Sequence, residues 1–118
     1  MLKTAEFVVD NVHRDLPSLA LVGYFLRKHG IAVRFFGTSE IALKWWTLRN
    51  CLVIFNKPYS FGFDLSFLKN SGCVTAVINT EGAMGSRFTH ESSQMLDFIF
   101  FWNQEDMNRF YSIFPSYP

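Results

Sequence analysis

The chain has 118 residues, of which 49% are hydrophobic and 18% aromatic, and its formal net charge is +1. This length fits one domain with a hydrophobic core. The near-neutral charge, without basic runs, excludes an electrostatic nucleic-acid interface, and no apolar run is long enough for a membrane span. Because the chain has 14 Phe residues, we expect an apolar surface for self-association or a partner subunit; the alternative is a Phe-rich core.

Apolar runs alternate with helical patterns along the whole chain. Strands are predicted at residues 5–9, 31–36, 52–55, 74–78 and 97–101, the last within the aromatic run FIFFW, which reads as buried. Helices are predicted between them, the first capped by Asp15 and closed by Gly30, the second running from residue 38 or 39 to 48. Asp64 is expected to cap a short third helix, and Asn103 or Gln104 to begin the last one.

Strands that alternate with helices favour a parallel sheet with right-handed crossovers. We therefore predict a doubly wound α/β fold, a mostly parallel five-stranded sheet of order 3-2-1-4-5 in a Rossmann-like three-layer sandwich. Residues 1–114 are expected to form this single domain. Residues 115–118 are expected to be an extended tail, the start of a linker to a second half.

In such a sheet, ligands bind at the carboxyl ends of the strands, near the switch point between the first and fourth strands. Three predicted loops bring polar residues to this edge. The expected ligand-binding residues are Asp10, Asn11, His13 and Arg14 after the first strand, Asn56, Lys57 and Tyr59 after the third, and Asn79, Thr80, Gly82 and Arg87 after the fourth.

Glu81 is the candidate catalytic residue of this set. It follows an apolar strand and precedes Gly82, and a carboxylate held there could take a proton from a substrate hydroxyl. On local sequence alone, the segment TEGAMG also fits a turn in which Glu81 is solvated. In the same way, Arg14 fits either an anion site or a surface salt bridge beside a helix cap, and Lys57 with Tyr59 fits either a sugar site or a plain loop.

Several function classes lack their motifs. The loop DNVHRD has no glycine and so is not a dinucleotide fingerprint, and there is no Walker A sequence and no G-x-S-x-G elbow. A response regulator needs an aspartate after the third strand, where this chain has FNKP. The isolated Cys51 and Cys73 predict buried free thiols in a reducing cytoplasm, so no metal and no cofactor is expected.

Four segments together resemble bacterial surface-carbohydrate biosynthesis proteins of the glycosyltransferase type. The first is FVVDNVHRDLPSLALVGYFLRKHGIAVRF, with a strand, a polar turn containing Arg-Asp and a helix. The others are VIFNKPYS, the segment VINTEGAMG with its Glu-Gly pair, and LDFIFFWNQEDMNRF. The resemblance spans nearly the whole chain.

This resemblance implies the N-terminal half of a two-domain glycosyltransferase of the GT-B type. Such a half mainly receives the glycan acceptor, and the nucleotide-sugar donor binds mainly to the other half, which this chain lacks. Glu81 would then be the general base, and Asp10, Asn11, His13 and Arg14 would line the acceptor side. The implied location is the cytoplasm, with peripheral association at the inner face of the membrane left open.

Two other functions remain open at this point. The first is a non-catalytic α/β interaction module that docks a partner or a second copy through its apolar surface. The second is a small flavodoxin-like domain that binds a nucleotide or a flavin, against which the glycine-free first loop argues. Whether the chain is an enzyme or part of one is therefore an open question.

Overall fold

The computed structural model describes residues 1–56, 64–78, 91–101 and 103–118, and of Ser92 only the backbone. Five parallel strands form one sheet in the order β2-β1-β3-β4-β5. The strands are β1 (Thr4–Val9), β2 (Ala32–Gly37), β3 (Leu52–Phe55), β4 (Val74–Ile78) and β5 (Phe98–Phe100). The predicted doubly wound, parallel α/β fold is confirmed.

The predicted strand order 3-2-1-4-5 is wrong, because β3 pairs with β1 and not with β2. Ala5 lies opposite Leu52 in this pairing. The reason is burial. Val53, Ile54 and Phe55 are all buried, as in a central strand covered on both faces, whereas most of β2 is exposed or half-buried and β2 forms an edge.

Four helices and two 3₁₀ turns connect the strands. They are α1 (Val12–Lys28), α2 (Thr38–Ala42), α3 (Leu65–Asn70) and α4 (Gln104–Ile113), with 3₁₀ turns at Trp45–Thr47 and Glu91–Met95. The second helix is shorter than predicted. It ends before Lys44, whose φ of −129° is not helical, and the break lets Trp45 pack edge-on against Phe67 with ring centroids 5.3 Å apart.

The two faces of the sheet are covered unequally. Helices α2, α3 and α4 supply Ile41, Leu68 and Phe110 to one core, together with Val53 and Val77 of the strands. On the other face, α1 is the one helix among the described residues, and it packs against β1 and β2. The part of this face formed by β3, β4 and β5 therefore has no described helix above it.

The last strand, β5, illustrates this asymmetry. The aromatic run FIFFW was predicted to be buried, but Phe98 and Phe100 are 56% and 57% exposed. The prediction is wrong because β5 is an edge strand, and both rings lie on the same face of the sheet as α1 but beyond β1 and β2, the strands against which α1 packs. Within the described ranges, no helix has both the length and the hydropathy needed to cross a bilayer.

Candidate functional site at the carboxyl ends of β1 and β3

Strands β1 and β3 are neighbours, and the strands that follow them in the chain lie on opposite sides of this pair in the sheet. From β1 the chain passes through α1 to β2, and from β3 it passes through α3 to β4. This is the topological switch point, where open parallel sheets bind their ligands. It lies between β1 and β3, not between the first and fourth strands as predicted, but the loop after β1 borders it in both strand orders.

Asn11, and not Asp15, is the N-cap of α1. The Asn11 backbone is extended, with φ −124° and ψ 111°, and its side-chain oxygen accepts a hydrogen bond from the Arg14 backbone N–H at 3.1 Å. The helix thus begins one turn earlier than predicted, because the Asn11 side chain already satisfies a backbone donor of the first turn. Asp15 is left for another role.

The Asp15 carboxylate is fully buried and joins three residues of the site. It accepts hydrogen bonds from the Asn11 backbone N–H at 2.9 Å and from the Asn56 side-chain amide at 3.0 Å. The Arg14 guanidinium donates to both of its oxygens, at 2.6 and 3.1 Å. Asp15 therefore positions its neighbours through these hydrogen bonds.

Arg14 and Asp10 form the solvent-facing rim. A guanidinium nitrogen of Arg14 lies 3.6 Å from a carboxylate oxygen of Asp10, and their side chains are 37% and 27% exposed. His13 is also exposed, on the first turn of α1. The rim thus presents a cation and an anion to solvent next to each other.

Asn56, directly after β3, is the second buried polar residue of the site, after Asp15. Its side-chain amide donates to Asp15, but its side-chain oxygen is buried and has no hydrogen-bond partner among the described residues. A buried acceptor without a partner costs roughly 1–3 kcal/mol, so the Asn56 side-chain oxygen calls for a donor. A ligand hydroxyl or N–H group would supply that donor.

The structure thus describes the positions of part of the predicted site. It brings Asp10, Asn11, Arg14 and Asn56 together around Asp15, with His13 exposed nearby on the same helix turn. The other predicted members lie outside the described residues: Lys57, Tyr59, Asn79, Thr80, Glu81, Gly82 and Arg87. The central position of Asp15 was missed, although its spacing of four residues from Asn11 places both on one side of a helix turn.

The chemistry of this cluster favours a neutral, hydroxyl-rich ligand. Carboxylate and amide oxygens accept hydrogen bonds from hydroxyls, and a guanidinium donates to them. The order 2-1-3-4-5 is that of flavodoxin-like sheets, but Asp10 and Asp15 place two carboxylates where a phosphate would approach the start of α1. Within the described ranges, no three His, Cys, Asp or Glu side chains are grouped to hold a metal ion.

Two other polar groups lie away from this edge and serve the fold. Buried Glu6 accepts a two-pronged ion pair from Arg34, and this hydrogen bonding raises the pKa of Arg34. Cys51 and Cys73 precede β3 and β4 and are buried free thiols, as predicted, with sulfurs 3.6 Å apart. Burial first, and then Cys73, raises the pKa of Cys51 to about 12, which makes it a poor nucleophile.

Comparison with protein-family models, with curated proteins and with solved structures yields no match to this chain.

Proposed function

We propose that this chain is the acceptor-side half of a two-domain glycosyltransferase that builds surface polysaccharide, inactive without its donor-binding half. The observation that carries the proposal is the buried, unpartnered side-chain oxygen of Asn56 beside the exposed Asp10–Arg14 pair. The resemblance of VVDNVHRD, VIFNKPYS and VINTEGAMG to glycosyltransferases of surface-carbohydrate biosynthesis supports it.

In this proposal the rim recognises a sugar by its hydroxyl groups. One hydroxyl donates to the Asn56 side-chain oxygen and another to the Asp10 carboxylate, while Arg14 donates to a sugar oxygen. Asp15 does not touch the ligand, but it holds Arg14 and Asn56 in place through the hydrogen bonds described above. Hydrogen bonds that involve a charged group contribute about 1.5–3 kcal/mol each.

Glu81, which lies outside the described residues, is the proposed general base. Its carboxylate takes the proton of the acceptor hydroxyl as that oxygen bonds to the anomeric carbon of the donor sugar. The bond from that carbon to the nucleotide diphosphate breaks, and its electron pair leaves with the phosphate. In enzyme reconstituted with a donor-binding half, turnover at the wild-type rate by Glu81→Ala would remove Glu81 from this role.

The proposal is tested by measuring sugar binding to the chain itself. A panel of bacterial oligosaccharides is screened by saturation-transfer NMR, and the dissociation constant of the best ligand is measured for each variant. We expect Asp10→Asn to weaken binding about tenfold, the effect of losing about 1.4 kcal/mol. Glu40→Gln is the matched control, because it neutralises an exposed carboxylate on α2, where Glu40 pairs with Lys44.

Two outcomes contradict the proposal. One is that no oligosaccharide in the panel binds. The other is that Asp10→Asn and Glu40→Gln bind the same ligand equally well. Either result would favour the alternative, a non-catalytic α/β interaction module, for which the exposed aromatic side chains of β5 are the supporting observation.

A further inference from the structure

The two cysteines of the chain lie side by side at the amino ends of neighbouring strands. Cys51 directly precedes β3 and Cys73 directly precedes β4, and these strands are paired in parallel with Leu52 opposite Val74. The two thiols are free, and their sulfurs are 3.6 Å apart. This end of the sheet is opposite the polar edge after β1 and β3, so the role of the pair is independent of the proposed function.

The backbone around the pair already has the geometry that a disulfide needs. The Val74 N–H donates a hydrogen bond to the Cys51 carbonyl at 2.9 Å, so the two chains run at the spacing of paired strands. That spacing is about 4.8 Å, and the Cα atoms of a disulfide lie about 4.4–6.8 Å apart. The sulfurs must approach from 3.6 Å to about 2.05 Å, which rotation of the two side chains can supply.

The contact between the two thiols could also be plain core packing, since both are buried and each fills a small apolar space. Their position beside a pocket argues for more. A pocket of about 640 Å³ opens at the amino ends of the strands, and Asn50 and Gly72 are among the described residues that line it. Cys51 follows Asn50 and Cys73 follows Gly72, so both thiols lie just beneath the wall of the pocket.

This wall consists of two turns and not of regular strand. Asn50 and Gly72 both have positive φ, at 49° and 74°, and the Asn50 N–H donates to the Ser71 carbonyl at 3.1 Å. The pairing of β3 with β4 begins after them, at Leu52 and Val74. Opening the two turns therefore exposes the thiols without breaking that pairing, and such local openings cost less than global unfolding.

We propose that Cys51 and Cys73 are a peroxide-sensitive pair, which forms a reversible disulfide within the folded chain. The oxidant is hydrogen peroxide or a comparably small peroxide. A small oxidant fits because the two residues are only 2% and 4% exposed, so a bulky oxidant such as glutathione disulfide would need a wider opening of the two turns.

The first step is assigned to Cys73, because the raised pKa of Cys51 disfavours its thiolate. The Cys73 thiolate attacks one oxygen of hydrogen peroxide, the O–O bond breaks, and the departing hydroxide takes up the former Cys73 proton as water. Cys73 is then a sulfenic acid. The Cys51 sulfur bonds to the Cys73 sulfur, the S–O bond breaks, and hydroxide leaves with the Cys51 proton as a second water. The two thiols are oxidised to a disulfide, and the peroxide is reduced to water.

The disulfide would join the starts of β3 and β4. It closes the segment from residue 51 to residue 73, which contains β3, Asn56 and α3. A cross-link of this kind stabilises a protein mainly by restricting its unfolded chain, so we expect the oxidised chain to melt about 10 °C higher than the reduced chain. Dithiothreitol should reverse the change.

The test exposes the folded chain to hydrogen peroxide and maps its peptides by mass spectrometry without reduction. We expect one linked pair of peptides, containing Cys51 and Cys73, together with the rise in melting temperature. In Cys51→Ala no second thiol is present, so the sulfenic acid of Cys73 should persist and be labelled by dimedone. Cys73→Ala is the matched control, in which Cys51 should be labelled far less. Neither variant should gain melting temperature, although their four methionines are oxidised as in the native chain.

Gly30→Ala separates reaction in the folded chain from reaction after unfolding. It strains a different turn, after α1, where φ is +79°, so it raises the unfolded population and leaves the two cysteines in place. Disulfide formation through local opening should keep its native rate in this variant. The proposal is overturned if the rate rises in proportion to the unfolded population. It is also overturned if the folded chain forms no linked peptides, or if the linked chain melts no higher than the reduced chain.

Discussion

Asp15 shows how one buried side chain can organise a site without contacting its ligand. It accepts hydrogen bonds from Asn11 and Arg14 at the start of α1 and from Asn56 after β3. The position of Asp15 at the start of a helical pattern indicated a helix cap. It could not reveal the contact between Asp15 and Asn56, which lies 41 residues further along the chain. Only the pairing of β1 with β3 brings those two side chains together.

We expect Asp15→Ala to lower the free energy of unfolding by about 3 kcal/mol, because it leaves the buried Asn56 amide without its acceptor and removes the buried carboxylate that pairs with Arg14. Urea unfolding followed by circular dichroism measures this. Asp10→Ala, which removes a carboxylate from the exposed rim, is the control and should cost less than about 1 kcal/mol. Similar losses for the two variants would mean that Asp15 is not the anchor.

Because of Cys51, we expect the free energy of unfolding to fall at alkaline pH. Burial and the neighbouring Cys73 raise its pKa from 9.0 to about 12, so folding favours the protonated thiol. The resulting stability is fully present below pH 9, the unfolded value, and is lost as the pH rises from 9 towards 12. Urea midpoints measured over this range should fall less steeply for Cys51→Ala than for the native chain.

Cys73→Ala is the control for this experiment. Burial is the largest cause of the raised pKa of Cys51, and that burial remains when Cys73 is truncated. The steep fall in the urea midpoint should therefore persist in Cys73→Ala. If Cys51→Ala and the native chain lose stability in parallel above pH 9, other groups are responsible for the alkaline loss.

At the scale of elements, α1 and α3 end in the same way. Each has a glycine with positive φ after its C-cap, Gly30 at +79° and Gly72 at +74°. In each, the next residue donates a backbone hydrogen bond to a carbonyl near the end of the helix, from Ile31 to Leu26 and from Cys73 to Leu68. These are Schellman motifs, and the glycine that ends the first helix was predictable from its position after a basic last turn.

The two glycines differ in the space around them, so the same substitution at each should destabilise the chain by different amounts. A Cβ on Gly30 would meet nothing within 4 Å, whereas one on Gly72 would lie 2.3 Å from the side-chain oxygen of Asn50. Gly30→Ala should lower the free energy of unfolding by about 1–2 kcal/mol, because alanine is strained at this positive φ. Gly72→Ala should cost about 1 kcal/mol more, as measured by urea unfolding, because the Asn50 side chain must also move.

A double-mutant cycle identifies the source of that difference. Replacing Asn50 by glycine removes the side chain that crowds position 72, and it also relieves the positive φ of 49° at Asn50. The extra cost of Gly72→Ala should then disappear in the Asn50→Gly background. An unchanged extra cost would show that the contact with the Asn50 side chain is not its cause.

At the scale of the whole molecule, the class of the fold was predictable and the order of its strands was not. Alternating apolar runs and helical patterns indicate a parallel α/β sheet whatever the order. The order depends on whether β3 pairs with β1 or with β2, and burial of β3 on both faces decides it. Asn56 could still be placed beside Asp10 and Arg14, because the carboxyl ends of all parallel strands meet at one edge.

The surplus of aromatic residues predicted an exposed apolar surface, and the structure has one in Phe98 and Phe100. Its location was not predictable. The helical pattern of residues 104–113 does not say which face the last helix covers, and α4 places Phe110 in the core shared with α2 and α3. As a result, no helix among the described residues covers β3, β4 and β5 on the face that carries α1.

The pairing of β1 with β3 also affects how the chain reaches its native state. Ala5 and its partner Leu52 are 47 residues apart, and β2 and α1 lie between them in the sequence. The centre of the sheet therefore cannot form until a long loop has closed, and topologies dominated by such distant contacts fold slowly. During synthesis, β1 and β2 emerge first, and they must remain unaggregated until the third strand inserts on the opposite side of β1.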